Sequence, residues 1–314
     1  MRLLVWHVHG SWSTAFVQGG HTYLLPTVDG GGEWGRGRCG RDWPESAVEV
    51  PADRLRDEDV DAVVLQRPEE LELTERWLGR RPGVDVAAVY VEHNTPREHA
   101  ATTRHPLADR DDILLVHVTP FNELMWDNGI APTAVIQHGI VDPGYRYTGE
   151  LRRAAVLINE PVRRNRIVGT DLLPVFARTA PIDLYGMGLD GLDLEGVTPV
   201  GDLGQEKLHR EMARRRVYVH TARWTSLGLS LIEAMQLGMP VVALATTEAT
   251  AAVPPEAGFV STDVTALAEG VRRLLDDPEL AVHMGKSARE HALARYGLDA
   301  FLRNWDVLLE RVLS

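Results

Sequence analysis

Residues 221–242 read "TARWTSLGLSLIEAMQLGMPVV", and the order of residue types in this stretch decides the fold. The run before it, "VYVH" (217–220), is short, apolar and branched, the pattern of a buried parallel strand. A small polar turn follows, and then a helix whose first turn is read as Ser226-Leu227-Gly228-Leu229-Ser230. Gly238 and Pro240 stop that helix, and "VVAL" (241–244) begins the next strand. Strand, turn, helix and strand make one βαβ unit. Gly228 lets a bulky anion approach the backbone, where free N–H groups and the helix dipole favour a diphosphate. Glu233 stands farther along the same helix. A carboxylate accepts two hydrogen bonds from vicinal hydroxyls, so Glu233 is either a ribose ligand or a solvated glutamate on an amphipathic helix.

The pattern repeats on both sides of this stretch. A βα series runs through "AAVLINEP" (from Ala154), "PIDLYGMG", "VTPVGDL", "RRVYVHTA" and "PVVALAT". Helices are expected over 168–179, 204–215, 227–237, 263–276 and 279–295. An earlier series has apolar strands at Leu3–Val8, Val60–Leu65, Val84–Val91, Ile113–Val118 and Ala134–Ile136, with "PEELELTERWLGRR" as one intervening helix. Segment 27–47 is rich in glycine and without period, and reads as a long loop. Its Trp34 and Trp43 either cover an acceptor or pin the loop down. From Tyr296 onward, Phe301, Leu302, Trp305, Leu308, Leu309 and Val312 recur at helical spacing. The fold class expected is therefore α/β, with two doubly wound Rossmann-like domains facing a central cleft. Ligands in such sheets bind beyond the carboxyl ends of the strands.

Composition narrows the function. The chain has 314 residues, 44% hydrophobic and 25% charged, average for a globular protein of two ordinary domains. A net charge of −12 argues against nucleic acid as a partner, because duplex binding rests on phosphate neutralisation. Cys39 is the only cysteine, which suits a reducing compartment, and a cytoplasmic location is expected. No run approaches the roughly 20 apolar residues of a membrane span. Asp193-Leu-Glu195 lacks further ligands, and no metal site is expected. His7 and His9 form an HxH on the expected first strand without an evident third ligand.

"SLGLSLIEAMQLGMPVVA" resembles the C-terminal motif of the retaining GT-B glycosyltransferases of family 4. Two further stretches are similar to that family: "VIQHGIVDP" (135–143), with His138 where an asparagine is usual, and "AAVLINEPVRRNRIVGTDLL" (154–173). The likeness covers most of residues 60–314 and is thin in the first half. It implies a GT-B fold with an N-terminal acceptor domain (1–150), a donor domain (151–295) and a C-terminal helix (296–314) crossing back to the first. It implies transfer of a sugar from a nucleoside diphosphate sugar, with no cofactor beyond that co-substrate, no metal, and retention of configuration. The acceptor, a small molecule, lipid or glycan, stays unidentified, as does the oligomeric state.

The same resemblance places the site. Glu233 matches the glutamate that holds the donor ribose. The family's other motif glutamate, which contacts the donor sugar, falls on Thr225, a departure. Arg163, Arg164 and Arg166 stand where the family clamps the diphosphate, although three near-adjacent arginines also suit a solvated loop. Arginine offers phosphate a fixed fork of donors. Gly186 and Gly188 border the base, and Thr225, Ser226, Leu227, Gly228 and Leu229 complete the donor set. Glu92, His93 and Asn94 end a strand where members keep a histidine near the reacting sugar, although a strand-end histidine also serves packing. Gly10, Ser11 and Trp12 fall in the loop bordering diphosphate and acceptor. Thr225 also motivates a rival, a non-catalytic sugar-nucleotide-binding or partner subunit with a degenerate site. A nucleotide-sugar epimerase of the same fold is a third class.

Overall fold

The computed structural model describes residues 1–314. The chain forms two compact units, one of Met1–Val141 with Leu298–Ser314, the other of Asp142–Gly297.

The first unit is built on β1 (Arg2–Val5), α1 (Gly10–Phe16), β2 (Thr22–Thr27), β3 (Ala47–Pro51), β4 (Ala62–Leu65), α2 (Glu69–Leu78), β5 (Ala87–Glu92), β6 (Leu114–His117), α3 (Pro120–Met125) and β7 (Thr133–Val135). Its strands pair in parallel in the order β3-β2-β1-β4-β5-β6-β7. Helices cover both faces of such a sheet, so β4 is buried along its whole length, and its sequence, AVVL, is apolar without alternation. The strand order reverses between β1 and β4, and the carboxyl ends of these two strands open the binding crevice of a doubly wound sheet.

The second unit follows the same rule. It contains β8 (Leu151–Leu157), α4 (Pro161–Arg164), α5 (Leu173–Ala177), β9 (Ile182–Tyr185), β10 (Val197–Gly201), α6 (Gln205–Ala213), β11 (Arg215–His220), α7 (Leu229–Gln236), β12 (Val241–Leu244), α8 (Ala249–Ala252), β13 (Gly258–Ser261), α9 (Val264–Asp276) and α10 (Pro278–Tyr296). The sheet order is β10-β9-β8-β11-β12-β13, so the reversal lies between β8 and β11. Local chemistry sets the later helix starts. The Asp263 carboxylate accepts from Thr265 N at 2.8 Å to cap α9, and Asp277 accepts from Leu280 N at 2.9 Å ahead of Pro278 to cap α10.

Helix α11 (Leu298–Leu313) belongs to the first unit. It buries Phe301, Trp305, Leu308 and Leu309. The Trp305 ring stands edge-on to Phe16 at 5.1 Å and to Trp12 at 5.9 Å between centroids. Residues 142–150 lie in the second unit, where the Arg146 and Tyr147 amides both donate to the Leu237 carbonyl at 3.1 Å.

Several elements differ from the sequence reading. The first strand stops at Val5, so His7 and His9 lie beyond the sheet. The helix expected over 168–179 is broken into a 3-10 turn, Thr170–Leu172, and α5, because Gly169 sits at φ +76° before it. Strand β13 opens on Gly258, and β3 closes the 27–47 loop at Ala47; both are too short to show a period. In that loop Trp43 is a pin. It is 4% exposed, and its indole N–H donates to Thr14 Oγ1 at 3.0 Å. Trp34 is covered by the Arg67 guanidinium, 3.8 Å from the ring centroid.

Candidate functional site

In the second unit the loops after β8, β9 and β11 converge at the point where strand order reverses. Helix α7 begins at Leu229 with Gly228 as its N-cap, in extended conformation, and no side chain caps it. Residues 226–228 therefore approach the helix and do not form its first turn, a correction to the reading above. Gly228 is required for space. A β-carbon there would stand 2.6 Å from His220 Cε1, against which the backbone is packed. An uncapped first turn leaves N–H groups for a ligand. Just before it, the Ser226 hydroxyl is buried without a hydrogen-bond partner. Leu227 is buried, and Thr225 and Leu229 are half-buried.

Glu233 is not on a solvated face. Residues Leu231–Gln236 of α7 are all buried, and Glu233 is 6% exposed. His209 on α6 is its neighbour, with Nε2 3.7 Å from Glu233 Oε2. Beside them the Tyr218 hydroxyl donates to Ser230 Oγ at 2.9 Å, and burial raises its pKa.

The arginine loop is braced from β11. The Arg223 guanidinium donates to both oxygens of Asp171, at 2.5 and 3.0 Å, and to the Arg166 carbonyl at 2.9 Å. Arg166 shares the same carboxylate at 3.0 Å, and Asp171 is held below the usual carboxylate range, first by Arg223. Arg163 and Arg166 are exposed and Arg164 half-buried. Gly186, at φ +126°, has the Ile158 carbonyl where a β-carbon would go, and Asn159 Oδ1 accepts from Met187 N at 3.0 Å. Gly188 lies against the Glu160 carboxylate, 3.0 Å from where its β-carbon would be. Arg163, Arg166, Gly186, Gly188 and Gly228 thus border loops at one edge of one sheet. Arg223 and His209 were missed, and neither carries a local signal, since both matter through partners distant in sequence.

In the first unit His93 stands at the carboxyl end of β5. Gln66 donates from Nε2 to the Trp6 carbonyl at 2.7 Å, so its Oε1, 3.1 Å from His93 Nε2, accepts from that ring. His93 Nδ1 is then the unprotonated nitrogen. Around it lie His9 at 4.2 Å, Trp12 at 5.1 Å and His138 at 6.1 Å between ring centroids. Burial pushes all three imidazoles down, His9 to about 4, His138 to about 3 and His93 well below its ordinary value, so the cluster is neutral at pH 7. Nearby, burial pushes the Glu70 carboxyl up to about 7 although Arg67 opposes the shift.

Glu92 turns inward and Asn94 is held by its backbone. Glu92 accepts from the Asn94 amide at 2.6 Å and from His105 Nε2 at 3.2 Å, while the Leu107 amide donates to His105 Nδ1 at 3.1 Å. The Asn94 carbonyl accepts from Asn122 Nδ2 at 3.0 Å and Trp126 Nε1 at 2.9 Å. These two residues hold the loop that presents His93. Gly10 and Ser11 open α1, while Trp12 is 1% exposed and packs on Phe16 at 4.7 Å, which makes it a core residue. His7 and His9 part company. His7 Nδ1 is 3.1 Å from the Gly37 carbonyl and its ring 4.6 Å from Trp43, whereas His9 packs on His93. No helix is long and apolar enough to cross a membrane.

Residues 192–291, from ahead of β10 to within α10, match the family Glycosyl transferases group 1. This stretch is similar to a glycosyl transferases group 1 domain. The matched stretch holds α6, β11, α7 and Glu233, and lies wholly within the second unit. Solved structures show the same fold over the entire chain. HepE of Anabaena in complex with UDP-glucose superposes with a TM-score of 0.75 at 16% identity, covering 99% of this chain and 100% of that one. Sucrose-phosphate synthase from Thermosynechococcus elongatus gives 0.73 at 16% identity, covering 99% of each. A glycosyltransferase from Rickettsia africae gives 0.71 at 14%, covering 100% and 98%. The fold is therefore GT-B, with two Rossmann-like units. No curated protein matches the sequence.

Proposed function

We propose that the protein transfers a sugar from a nucleoside diphosphate sugar to an acceptor hydroxyl. The observation that carries this reading is the uncapped, glycine-started helix α7 with buried Glu233, inside the group 1 domain. Glu233 takes the ribose hydroxyls, and the α7 start with Ser226 and Arg163, Arg164 and Arg166 takes the diphosphate. The bond from the sugar's anomeric carbon to the diphosphate breaks, and charge builds on the leaving oxygen. Fixed arginines and helix N–H groups stabilise that charge without a metal. The acceptor oxygen attaches to the anomeric carbon with retention, and its proton passes to the departing diphosphate oxygen. His93, with Nδ1 unprotonated, accepts a hydrogen bond from a substrate hydroxyl. HepE, whose structure holds UDP-glucose, supports the donor class. The acceptor is a small molecule, lipid or glycan, and the cytoplasm, which suits the lone Cys39, is the place of the reaction.

Thr225, where the family keeps a glutamate, favours a second reading: a subunit that binds the nucleotide sugar without transferring it. Calorimetry with UDP, GDP, ADP and TDP and their sugars, without metal, tests both. One nucleotide should bind, and Glu233→Ala should weaken it by about 1–3 kcal/mol. Binding without sugar release or transfer supports the second reading. Failure of every nucleotide to bind removes both.

A further inference from the structure

In the first unit, residues 35–43 return across the carboxyl end of β1 and are fixed there by three contacts. His7 Nδ1 donates to the Gly37 carbonyl at 3.1 Å, the Trp43 ring lies 4.6 Å from the His7 ring, and the Trp43 indole donates to Thr14 on α1. Arg41 then lies over the start of α1, where a β-carbon on Gly10 would strike its guanidinium. The Arg41 side chain makes one long hydrogen bond, to Thr14 Oγ1 at 3.5 Å. Arg36, on the same loop, is exposed, and neither arginine forms an ion pair. Between them Arg38 keeps a buried Nε without a hydrogen-bond partner. The loop's carboxylates are engaged elsewhere or turned to solvent. Glu33 pairs with Arg67 at 3.4 Å, Glu49 accepts from the Arg38 amide at 2.7 Å, and Asp42 and Glu45 are exposed. Burial pushes the His7 imidazole down, and Arg41 and Arg36 push it the same way against its bond to Gly37, so both cations face that ring.

Two uncompensated guanidinium groups beside one histidine stand out in a chain of net charge −12. Each offers an anion a fixed fork of donors. A carboxylate neutralises one of them, whereas a phosphate monoester, with a charge of about −1.5 to −2 at pH 7, neutralises both. We infer that Arg36 and Arg41 hold a phosphate group carried by the acceptor, so that the molecule receiving the sugar is a phosphate ester. The inference rests on the proposed transfer and adds to it the class of acceptor. His9, next to Gly10 in the chain, packs on His93 at 4.2 Å, so a phosphate held here leaves the rest of the acceptor to reach His93. The donor's diphosphate is the other source of phosphate, and the test separates the two.

Inorganic phosphate and acetate are titrated calorimetrically at low salt into the full chain, alone and saturated with the nucleoside diphosphate that binds it. Wild type should bind phosphate about tenfold more tightly than acetate, and Arg41→Gln should weaken phosphate binding about tenfold. The nucleotide should leave that affinity unchanged. Arg56→Gln, which removes a charge beside Gly79 past the end of α2, should leave it unchanged as well. Arg36 is exposed, so Arg36→Gln keeps the fold if Arg41→Gln loses it, and it should weaken phosphate severalfold. No phosphate binding in the wild type, acetate bound equally well, or an affinity unchanged in both variants overturns the inference, while nucleotide binding leaves the donor reading intact. Displacement of phosphate by the nucleotide assigns it to the donor and also overturns the inference. If no nucleotide binds, the donor reading falls and the acceptor assignment falls with it.

Discussion

Gly169 packs so closely on Thr221 that a β-carbon on it would stand 2.0 Å from the Thr221 carbonyl oxygen, leaving room only for an α-hydrogen. The contact ties the loop after β8 to the loop after β11, and the Thr221 hydroxyl reinforces it by donating to the Val168 carbonyl at 2.8 Å. Gly169 also holds φ +76°, where an L side chain costs about 1–2 kcal/mol. Gly169→Ala should therefore lower the melting temperature by several degrees and weaken nucleotide binding, read by thermal melting and calorimetry. A variant as stable as the wild type would show that the two loops yield freely.

Arg166 and Arg223 share Asp171 but differ in what depends on them. Arg166 is exposed, whereas Arg223 also donates to a loop carbonyl. Arg166→Ala should weaken nucleoside diphosphate binding about tenfold, most at low salt, with little change in melting temperature. Arg223→Ala should reduce both, since the arginine loop loses its brace.

The histidine cluster makes the first unit acid-sensitive. His9 and His138 are depressed from about 6.5 to about 4 and about 3. Between those values and 6.5 the unfolded chain binds protons that the native chain does not, so stability rises with pH across that window and falls on acidification. The charges facing His9 are Glu92, Arg67 and Arg97, and His138 faces His9 itself. His138→Asn should flatten the slope of stability between pH 4 and 6 by up to about 1.4 kcal/mol per pH unit, measured by denaturation at several pH values.

Trp305 anchors α11 among Trp12, Phe16 and Phe301 at 2% exposure. Trp305→Ala should cost about 3–5 kcal/mol in the first unit. Denaturation followed by tryptophan fluorescence checks it, and nucleotide binding to the second unit should persist.

Much of this architecture is legible along the chain. Apolar runs such as AVVL mark buried parallel strands, Asp263 and Asp277 with Pro278 mark helix starts, and Gly228 with Gly238 and Pro240 marks the two ends of α7. These signals are local, because hydrogen bonding within a turn, backbone freedom and burial on both sheet faces act over a few residues. Burial and partnership are not local. Glu233 reads as either a ribose ligand or a solvated glutamate, and only the enclosure of α7 removes the solvated alternative, while Trp12 reads as a loop residue until α11 covers it. His93 gains its tautomer from Gln66, 27 residues earlier, and the arginine loop gains its brace from Arg223, 52 residues after Asp171. The order of elements and the place of the site follow from short-range chemistry. Which side chains are neutral, paired or left waiting for a ligand was decided only when the sheets brought distant loops together, since desolvation and hydrogen bonding depend on neighbours in space.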